Sequence, residues 1–150
     1  MKSEIMPEER RSQNLEPCLV FVYGTLRRGG INDINRLVPP PVFKGTACVG
    51  GLLFDLGAYP GLLLASSSDP GGCVVCGEVY AIDTALERQL DNIEEIHGQP
   101  DDEYFRRQVS VKVGEQRCVC LVYEINPNRV LGRSLIDHGD WIRHVEGERT

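Results

Sequence analysis

The sequence has little of what membrane insertion or nucleic-acid binding requires. No stretch of its 150 residues is long and apolar enough to span a bilayer. Basic residues are outnumbered, because 16 Lys and Arg stand against 22 Asp and Glu, a net charge of −6. The only basic pairs within the expected fold are Arg27-Arg28 and Arg106-Arg107, whereas binding to a phosphate backbone depends on dense Lys and Arg. We therefore expect neither a membrane nor a nucleic acid as a partner.

Several catalytic and cofactor motifs are also missing. The glycine-containing segment 24–30 is not followed by the Gly-Lys-Ser/Thr of a Walker loop, and no Gly-x-Gly-x-x-Gly comes after the first predicted strand. No Gly-x-Ser-x-Gly is present to hold a serine nucleophile. His97, His138 and His144 do not form the spacing of two metal ligands one helical turn apart. These absences give no support to a nucleotide cofactor, a serine nucleophile or a histidine metal site.

Cysteine, in contrast, is well represented, at Cys18, Cys48, Cys73, Cys76, Cys118 and Cys120. We interpret these residues as small apolar side chains on strands in a reducing compartment. A structural zinc site is the alternative, because Cys-Val-Val-Cys at 73–76 and Cys-Val-Cys at 118–120 hold paired thiols. It is disfavoured because four-thiolate zinc sites usually combine two Cys-x-x-Cys turns. A disulfide is favoured even less.

The chain length suits one domain with a core of its own. Residues 1–17 alternate charged and polar side chains and lack the apolar centre of a signal peptide. We expect these residues to be a disordered leader, followed by one domain over residues 18–150 of a cytoplasmic protein.

The most informative stretch covers residues 18–30. An apolar run rich in valine and aromatic side chains, typical of a buried strand, ends at Tyr-Gly-Thr-Leu over residues 23–26. The chain then passes Gly29 and Gly30 towards a short helix predicted over residues 31–37. A strand that ends at a glycine exposes successive backbone N–H groups, and such a nest binds anions. The alternative is an ordinary strand-to-helix turn.

The remaining pattern predicts more strands than helices. One convincing helix covers residues 83–95, with Thr84 and Glu87 at capping-box spacing and Asp83 as a rival N-cap. Gly77, inside a strand, predicts a bulge or a close backbone approach. Strands are predicted over residues 42–50, 52–56, 62–65, 73–82, 104–113 and 117–125, with a polar loop at 66–72 and a short mixed end at 132–145 that packs Trp141. These elements predict an α+β domain, a small mixed, mainly antiparallel β-barrel with short flanking helices.

Two adjacent glutamates near the end of that helix are predicted to differ. Leu86, Leu90 and Ile93 define its buried face. At about 100° per residue, Glu94 lies about 40° from Leu90, whereas Glu95 lies about 140° away and points to water. Glu94 can therefore enter a partly desolvated site, where burial raises the pKa of a carboxyl group and suits it to proton transfer. A solvated pair of acids on a surface helix is the equal alternative.

Other residue types offer weaker candidates. Four tyrosines lie at predicted strand ends or turns, where pockets form: Tyr23, Tyr59, Tyr104 and Tyr123. Packing explains each of them better than chemistry does. His97 follows Glu94 closely, but a position in a surface loop explains it better than a place in the same pocket.

The motifs, taken in order, resemble a known family. They are Phe-Val-Tyr-Gly-Thr-Leu-Arg-Arg-Gly at 21–29, Leu-Phe-Asp-Leu-Gly-Ala-Tyr-Pro-Gly at 53–61, Gly-Glu-Val-Tyr at 77–80, Leu-Asp-Asn-Ile-Glu at 90–94 and Tyr-Phe-Arg at 104–106. This set is similar to the γ-glutamylcyclotransferase-like family, which includes γ-glutamylamine cyclotransferase. His-Gly-Asp-Trp at 138–141 resembles the ending of small bacterial members of the YtfP type. The similarity covers about residues 18–145.

The resemblance implies a mixed β-barrel with a pocket at the Tyr-Gly-Thr-Leu loop. The implied reaction releases 5-oxoproline from a γ-glutamyl amine or γ-glutamyl amino acid, with Glu94 as general acid and base and no metal or cofactor. The free α-amine would attack the γ-carbonyl group within the same molecule. This chain departs from the family at Glu95, because glycine often follows the family's glutamate.

The resemblance also implies which residues contact the substrate, here Tyr23, Gly24, Thr25, Leu26, Tyr59, Tyr104 and Tyr123. The backbone N–H groups of the three loop residues are expected to hold the α-carboxylate. Tyr104 and Tyr123 are candidates for orienting the substrate or donating to the developing oxyanion. Tyr23 and Tyr59 are expected to wall the pocket.

Two other functions remain open at this stage. A non-catalytic domain on the same fold would bind a small carboxylate or a partner without depending on Glu94. A zinc-stabilised interaction module is the third interpretation. The leaving group of the γ-glutamyl substrate and the choice between monomer and homodimer are not predicted.

Overall fold

A computed structural model describes residues 18–65 and 74–148. Its strands and α-helices are β1 Cys18–Val22, β2 Val42–Asp55, β3 Pro60–Leu64, β4 Val74–Ile82, α1 Thr84–Ile93, β5 Tyr104–Val113, β6 Gln116–Ile125, β7 Ser134–Leu135 and α2 Trp141–Glu148. Short 3-10 helices cover Ile34–Arg36 and Pro127–Arg129. The leader predicted over residues 1–17, the polar loop predicted over residues 66–72 and Cys73 lie outside the described residues.

The strands form one sheet in the order β3-β2-β4-β1-β6-β5, and β7 pairs with β2. β1 and β6 run parallel and meet at Val20 and Leu121. The other strand pairs that the structure describes are antiparallel. The predicted mixed, mainly antiparallel sheet with short flanking helices is therefore confirmed.

Glycine lets the two ends of the sheet approach each other. A Cβ atom at Gly45 of β2 would lie 2.7 Å from Val113 Cγ1 of β5. A Cβ atom at Gly61 of β3 would lie 2.8 Å from Ile125 Cβ of β6. Both distances are shorter than a side chain tolerates, so these glycines permit the sheet to curl into a half-barrel.

β1 crosses the middle of the sheet and is buried on both faces. Phe21 packs in one apolar cluster, which also contains Trp141 of α2. Val20 and Val22 pack in a second cluster beneath α1. The predicted burial of Trp141 is confirmed, since its side chain is 6% exposed.

One strand, β2, replaces the two that were predicted on either side of Gly50 and Gly51. β2 pairs with β4 through residues 42–50 and with β3 through residues 51–55. The two glycines therefore mark a change of partner rather than a turn. Gly51 is needed there because a Cβ atom would lie 2.4 Å from the carbonyl oxygen of Leu63.

The helix predicted over residues 83–95 is confirmed as α1, and Asp83, the alternative N-cap of the prediction, precedes its first residue. The Asp83 carboxylate accepts a hydrogen bond from the Leu86 N–H at 2.8 Å, so Asp83 rather than Thr84 is the N-cap. Leu86 and Leu90 are fully buried, as predicted. The prediction for Ile93 was wrong, because that side chain is 40% exposed and lines a cavity instead of the core.

Two weakly patterned segments differ from their predictions. The helix predicted over residues 31–37 is only the single 3-10 turn Ile34–Arg36. The short mixed end predicted over residues 132–145 contains β7 and the beginning of α2.

The close backbone approach predicted at Gly77 is confirmed, because a Cβ atom there would lie 2.1 Å from the carbonyl oxygen of Val22.

Three further observations concern residues 18–65 and 74–148. None of the helices there is long and apolar enough to cross a bilayer. No group of three or more His, Cys, Asp or Glu side chains in this part of the chain has an arrangement that could hold a metal ion. The described cysteines are free thiols, at Cys18, Cys48, Cys76, Cys118 and Cys120.

Candidate active site

A cavity of about 300 Å³ opens where the loop after β1 meets the C-terminal end of α1. The beginnings of β3 and β5 supply the rest of its wall. Among its lining residues are all eight that the sequence predicted for the site: Tyr23, Gly24, Thr25, Leu26, Tyr59, Glu94, Tyr104 and Tyr123. The fold thus brings together side chains and amides from segments up to about a hundred residues apart.

The loop after β1 lines this cavity and has backbone N–H groups without an acceptor among the described residues. Gly24 O accepts from the Arg27 N–H at 3.0 Å, which closes a tight turn. The carbonyl groups of Thr25 and Leu26 accept from backbone N–H groups further along the loop. No described residue accepts a hydrogen bond from the amides of Gly24, Thr25 or Leu26. Successive free amides in a turn form the kind of nest that binds a carboxylate.

Position 24 requires glycine because the chain passes close to β3 there. A Cβ atom at this position would lie 2.7 Å from Pro60 Cγ and 2.9 Å from Pro60 Cδ. The proline ring is rigid and cannot move away as a flexible side chain would. Any residue larger than glycine would therefore displace the loop and its amides.

An arginine behind the loop is held between two carboxylates. Arg27 Nε donates to Glu78 Oε2 at 2.9 Å, and Arg27 Nη1 donates to Asp140 Oδ1 at 2.8 Å. The other oxygen of Glu78 accepts from the Arg28 N–H at 2.9 Å and from the Tyr80 hydroxyl at 3.1 Å. We call Arg27, Glu78 and Asp140 the loop clamp. Sequence reasoning missed it, although Glu78 in an otherwise apolar buried strand was a signal.

Glu94 lies directly after the last residue of α1 and lines the same cavity as the loop. Its backbone N–H continues the helix by donating to Leu90 O at 2.9 Å. Burial, followed by the negative charges of Glu103 and Glu95, raises the pKa of Glu94 to about 7. A carboxyl group with this pKa can both accept and donate a proton near neutral pH.

Glu95 differs from its neighbour as predicted, since its side chain is exposed. Its backbone has a φ of +55°, in the left-handed region that favours glycine. A left-handed residue is the usual way to end a helix. Glycine would adopt this conformation without strain. Although exposed, Glu95 lines the cavity beside Glu94.

The hydroxyl groups of the four cavity tyrosines all donate to acceptors of the protein itself. The acceptors are Tyr123 O for Tyr23, Glu103 Oε2 for Tyr59, Pro60 O for Tyr104 and Asp91 Oδ1 for Tyr123, each at 2.6 Å. The bond to the Glu103 carboxylate raises the pKa of Tyr59 to about 12. In this state the rings form the cavity wall, and their role towards a substrate stays a prediction.

A second charged cluster holds α1 against the sheet. Arg106 Nη1 donates to both oxygens of Asp91, at 2.8 and 2.7 Å, and Nη2 of the same guanidinium pairs with Glu87. Asp91 also accepts the Tyr123 hydroxyl, so the cluster reaches the cavity wall one helical turn before Glu94. We call Arg106, Glu87 and Asp91 the helix clamp. Its acids were visible on α1, but the sequence did not indicate their partner.

His97 does not line the cavity. Its backbone N–H donates to Asp102 Oδ2 at 2.8 Å, and its side chain is exposed. The interpretation of His97 as a surface loop residue is therefore confirmed.

Comparisons with known proteins show the family of this chain. The sequence model of the family described as γ-glutamyl cyclotransferase, AIG2-like, matches residues 20–143. A Vibrio cholerae protein assigned as a γ-glutamylcyclotransferase is 35% identical over 127 residues, which cover 85% of this chain and 97% of that protein. The γ-glutamylcyclotransferase family protein YtfP of Escherichia coli is 32% identical over 123 residues, 82% of this chain and 95% of its own.

A solved structure gives the same result for the fold. The crystal structure of an AIG2-like protein from Mus musculus superimposes with a TM-score of 0.67 and 27% identity, covering 84% of this chain and 88% of that one. The family match spans the cavity, both clamps and the curled sheet. The chain belongs to the AIG2-like γ-glutamyl cyclotransferase family.

Proposed function

We propose that the protein is a γ-glutamyl cyclotransferase that releases 5-oxoproline from a γ-glutamyl amine or γ-glutamyl amino acid. The observation that carries the proposal is that one cavity is lined both by Glu94, a carboxyl group with a pKa near 7, and by three residues with unpaired amides. A γ-glutamyl group has a carboxylate for the amides and an ammonium group for the glutamate. The family relationship supports the reaction type.

The amides of Gly24, Thr25 and Leu26 bind the α-carboxylate of the γ-glutamyl group in this proposal. The loop clamp keeps these amides in place before the substrate arrives, so little ordering remains to be done on binding. With the carboxylate held there, we expect the neighbouring α-ammonium group to meet Glu94, which lines the same cavity.

Glu94 acts first as a base and then as an acid. Its carboxylate removes one proton from the α-ammonium group, and the free amine attacks the γ-carbonyl carbon to close a five-membered ring. The C–N bond to the leaving group then breaks as protonated Glu94 donates its proton to the departing amine nitrogen. The ring nitrogen loses its second proton, which the departing amine takes up to leave as an ammonium ion. Because nucleophile and electrophile belong to one molecule, proximity supplies much of the rate.

The test is 5-oxoproline release from a panel of γ-glutamyl amino acids and γ-glutamyl amines. Glu94→Gln keeps the shape of the side chain but cannot transfer the proton, so kcat/KM should fall about 10²- to 10⁴-fold. Glu115→Gln, in the exposed turn between β5 and β6, is the matched control and should leave kcat/KM unchanged. The best substrate of the panel identifies the leaving group.

The pH profile tests the same proposal independently. Glu94 must be ionised to accept the proton, so kcat/KM should rise as the pH increases through about 7. Glu95→Gln removes a negative charge that opposes this ionisation, and the rise should move to lower pH.

Equal activity of the wild type and Glu94→Gln would contradict the role of Glu94. If no substrate is turned over but a γ-glutamyl ligand still raises the melting temperature, the chain is a non-catalytic binding domain. The cytoplasmic location stays a prediction.

A further inference from the structure

Two thiols face each other on neighbouring strands, away from the cavity. Cys48 of β2 and Cys76 of β4 are directly opposite in the antiparallel register. Their Sγ atoms are 3.5 Å apart. Neither residue lines the proposed active site.

The backbone geometry of this pair suits a covalent bond. The Cys76 N–H donates to Gly139 O at 2.8 Å, on the side of β4 away from β2. Cys48 and Cys76 therefore occupy a non-hydrogen-bonded position of the ladder, where opposite Cα atoms are about 4.5 Å apart and side chains approach most closely. This separation lies within the range of about 4.4 to 6.8 Å that disulfides span.

The two thiols differ in access. Cys48 is exposed, whereas Cys76 is half-buried. Burial, followed by the neighbouring Cys48, raises the pKa of the Cys76 thiol to about 11. Because Cys48 is the exposed thiol and burial disfavours the thiolate of Cys76, Cys48 is the thiol that attacks an incoming reagent and Cys76 is the one that resolves the product.

We propose that Cys48 and Cys76 form a reversible modification site, which a small disulfide such as oxidised glutathione converts into a disulfide between β2 and β4. The Cys48 thiolate attacks one sulfur of oxidised glutathione, forms a mixed disulfide and releases one reduced glutathione. The Cys76 thiol loses its proton, attacks Cys48 Sγ and releases the second glutathione. Two protein thiols are oxidised and one glutathione disulfide is reduced to two thiols, so the exchange balances.

The experiment uses the full chain in its reduced form, incubated with mixtures of reduced and oxidised glutathione. Remaining thiols are blocked by alkylation, and the digested protein is mapped by mass spectrometry. We expect a cross-linked pair of peptides containing Cys48 and Cys76, lighter by two hydrogen atoms, which a dithiol reductant reverses. Cys118 and Cys120 of β6 serve as internal controls and should be recovered as alkylated thiols.

Single variants separate the two steps. Cys76→Ser should accumulate glutathione on Cys48, because the resolving thiol is gone. Cys48→Ser should leave Cys76 largely unmodified. Cys118→Ser should not change the yield of the cross-link. The same reaction in concentrated urea should lose its selectivity, since the strand register that pairs the thiols is then absent.

Three outcomes would overturn the proposal. The first is separate alkylation of Cys48 and Cys76 at every glutathione ratio. The second is a stable mixed disulfide on Cys48 in the wild-type chain. The third is a cross-link from Cys76 to Cys73 that persists while Cys48 stays free.

Discussion

Two charged clusters of the same composition support the cavity, but they differ in their exposure to solvent. Each has an arginine between two carboxylates, the loop clamp behind the amides and the helix clamp behind Glu94. The side chains of Arg27 and Glu78 in the loop clamp are 12% and 8% exposed. Those of Arg106 and Asp91 in the helix clamp are 37% and 29% exposed. The same pairing should therefore contribute differently to stability in the two clusters.

The difference follows from solvation. The charges of an exposed ion pair are well solvated even when they are apart, so their pairing contributes only about 0 to 1 kcal/mol. When one member of a buried ion pair is removed, the other charge is left without water or a counter-charge, which costs about 3 to 5 kcal/mol. The loop that is predicted to bind an anion is thus fixed by the protein interior. The helix that carries Glu94 depends mainly on the burial of Leu86 and Leu90.

Breaking the buried clamp should have the largest effect. Arg27→Met removes the partner of Glu78 and should lower the free energy of unfolding by about 3 kcal/mol, towards the small end because Glu78 keeps the Arg28 N–H and the Tyr80 hydroxyl. Urea unfolding measures the change. Arg107→Met, which breaks the exposed pair with Glu124, is the control and should change stability by less than about 1 kcal/mol.

If Arg27→Met does not fold, the double variant Arg27→Met/Glu78→Met keeps the prediction testable. An apolar pair in place of a buried ion pair is often neutral, so the double variant should be more stable than the single one. Equal losses for Arg27→Met and Arg107→Met would remove the contrast between buried and exposed clamps.

Glu94→Gln should stabilise the protein in a pH-dependent way. The folded-state pKa of Glu94, about 7, lies above its ordinary value of 4.5, so the protonated form favours the fold and this contribution is lost as the pH rises through 7. The advantage of the glutamine variant over the wild type should grow between pH 4 and pH 8 by up to about 3 kcal/mol. Denaturant unfolding at several pH values tests this, and a difference that is flat with pH would contradict it.

Gly24→Ala should damage binding rather than proton transfer. The added methyl group meets the Pro60 ring and displaces the amide nest, and a shift of about 1 Å at a binding group can cost about 100-fold. We expect KM for the γ-glutamyl substrate to rise at least about tenfold, without a shift of the pH profile. Gly147→Ala, where nothing lies within 4 Å of the added Cβ, is the control. An unchanged KM would argue against the nest.

Breaking the exposed clamp should have the smallest effect. Arg106→Met should lower the free energy of unfolding by about 0.5 to 1 kcal/mol, and the loss should shrink as salt is added, because salt screens exposed charges. Thermal unfolding at low and high ionic strength measures both. A loss as large as that of Arg27→Met would show that the two clusters contribute equally.

The candidate site could be read from the sequence because its signals are local. The apolar run that ends at Tyr23-Gly24, and the helical spacing that separates Glu94 from Glu95, involve residues a few positions apart. The Asp83 cap and the burial of Leu90 depend on the same short range. In these segments, local propensity and hydrophobic pattern agree with the final fold.

The sequence by itself determined most of the strands, the one clear helix and which residues line the cavity. Only the tertiary structure decided which long-range contacts surround these residues. Arg27 meets Asp140 across more than a hundred residues, Cys48 faces Cys76 through strand register, and β2 changes partner at Gly51 without a turn. Contacts of this kind depend on which strands pair and how the sheet curls, and no periodicity along the chain encodes them. The candidate residues of the site can therefore be recognised from local sequence, whereas the contacts that hold them in place depend on the whole fold.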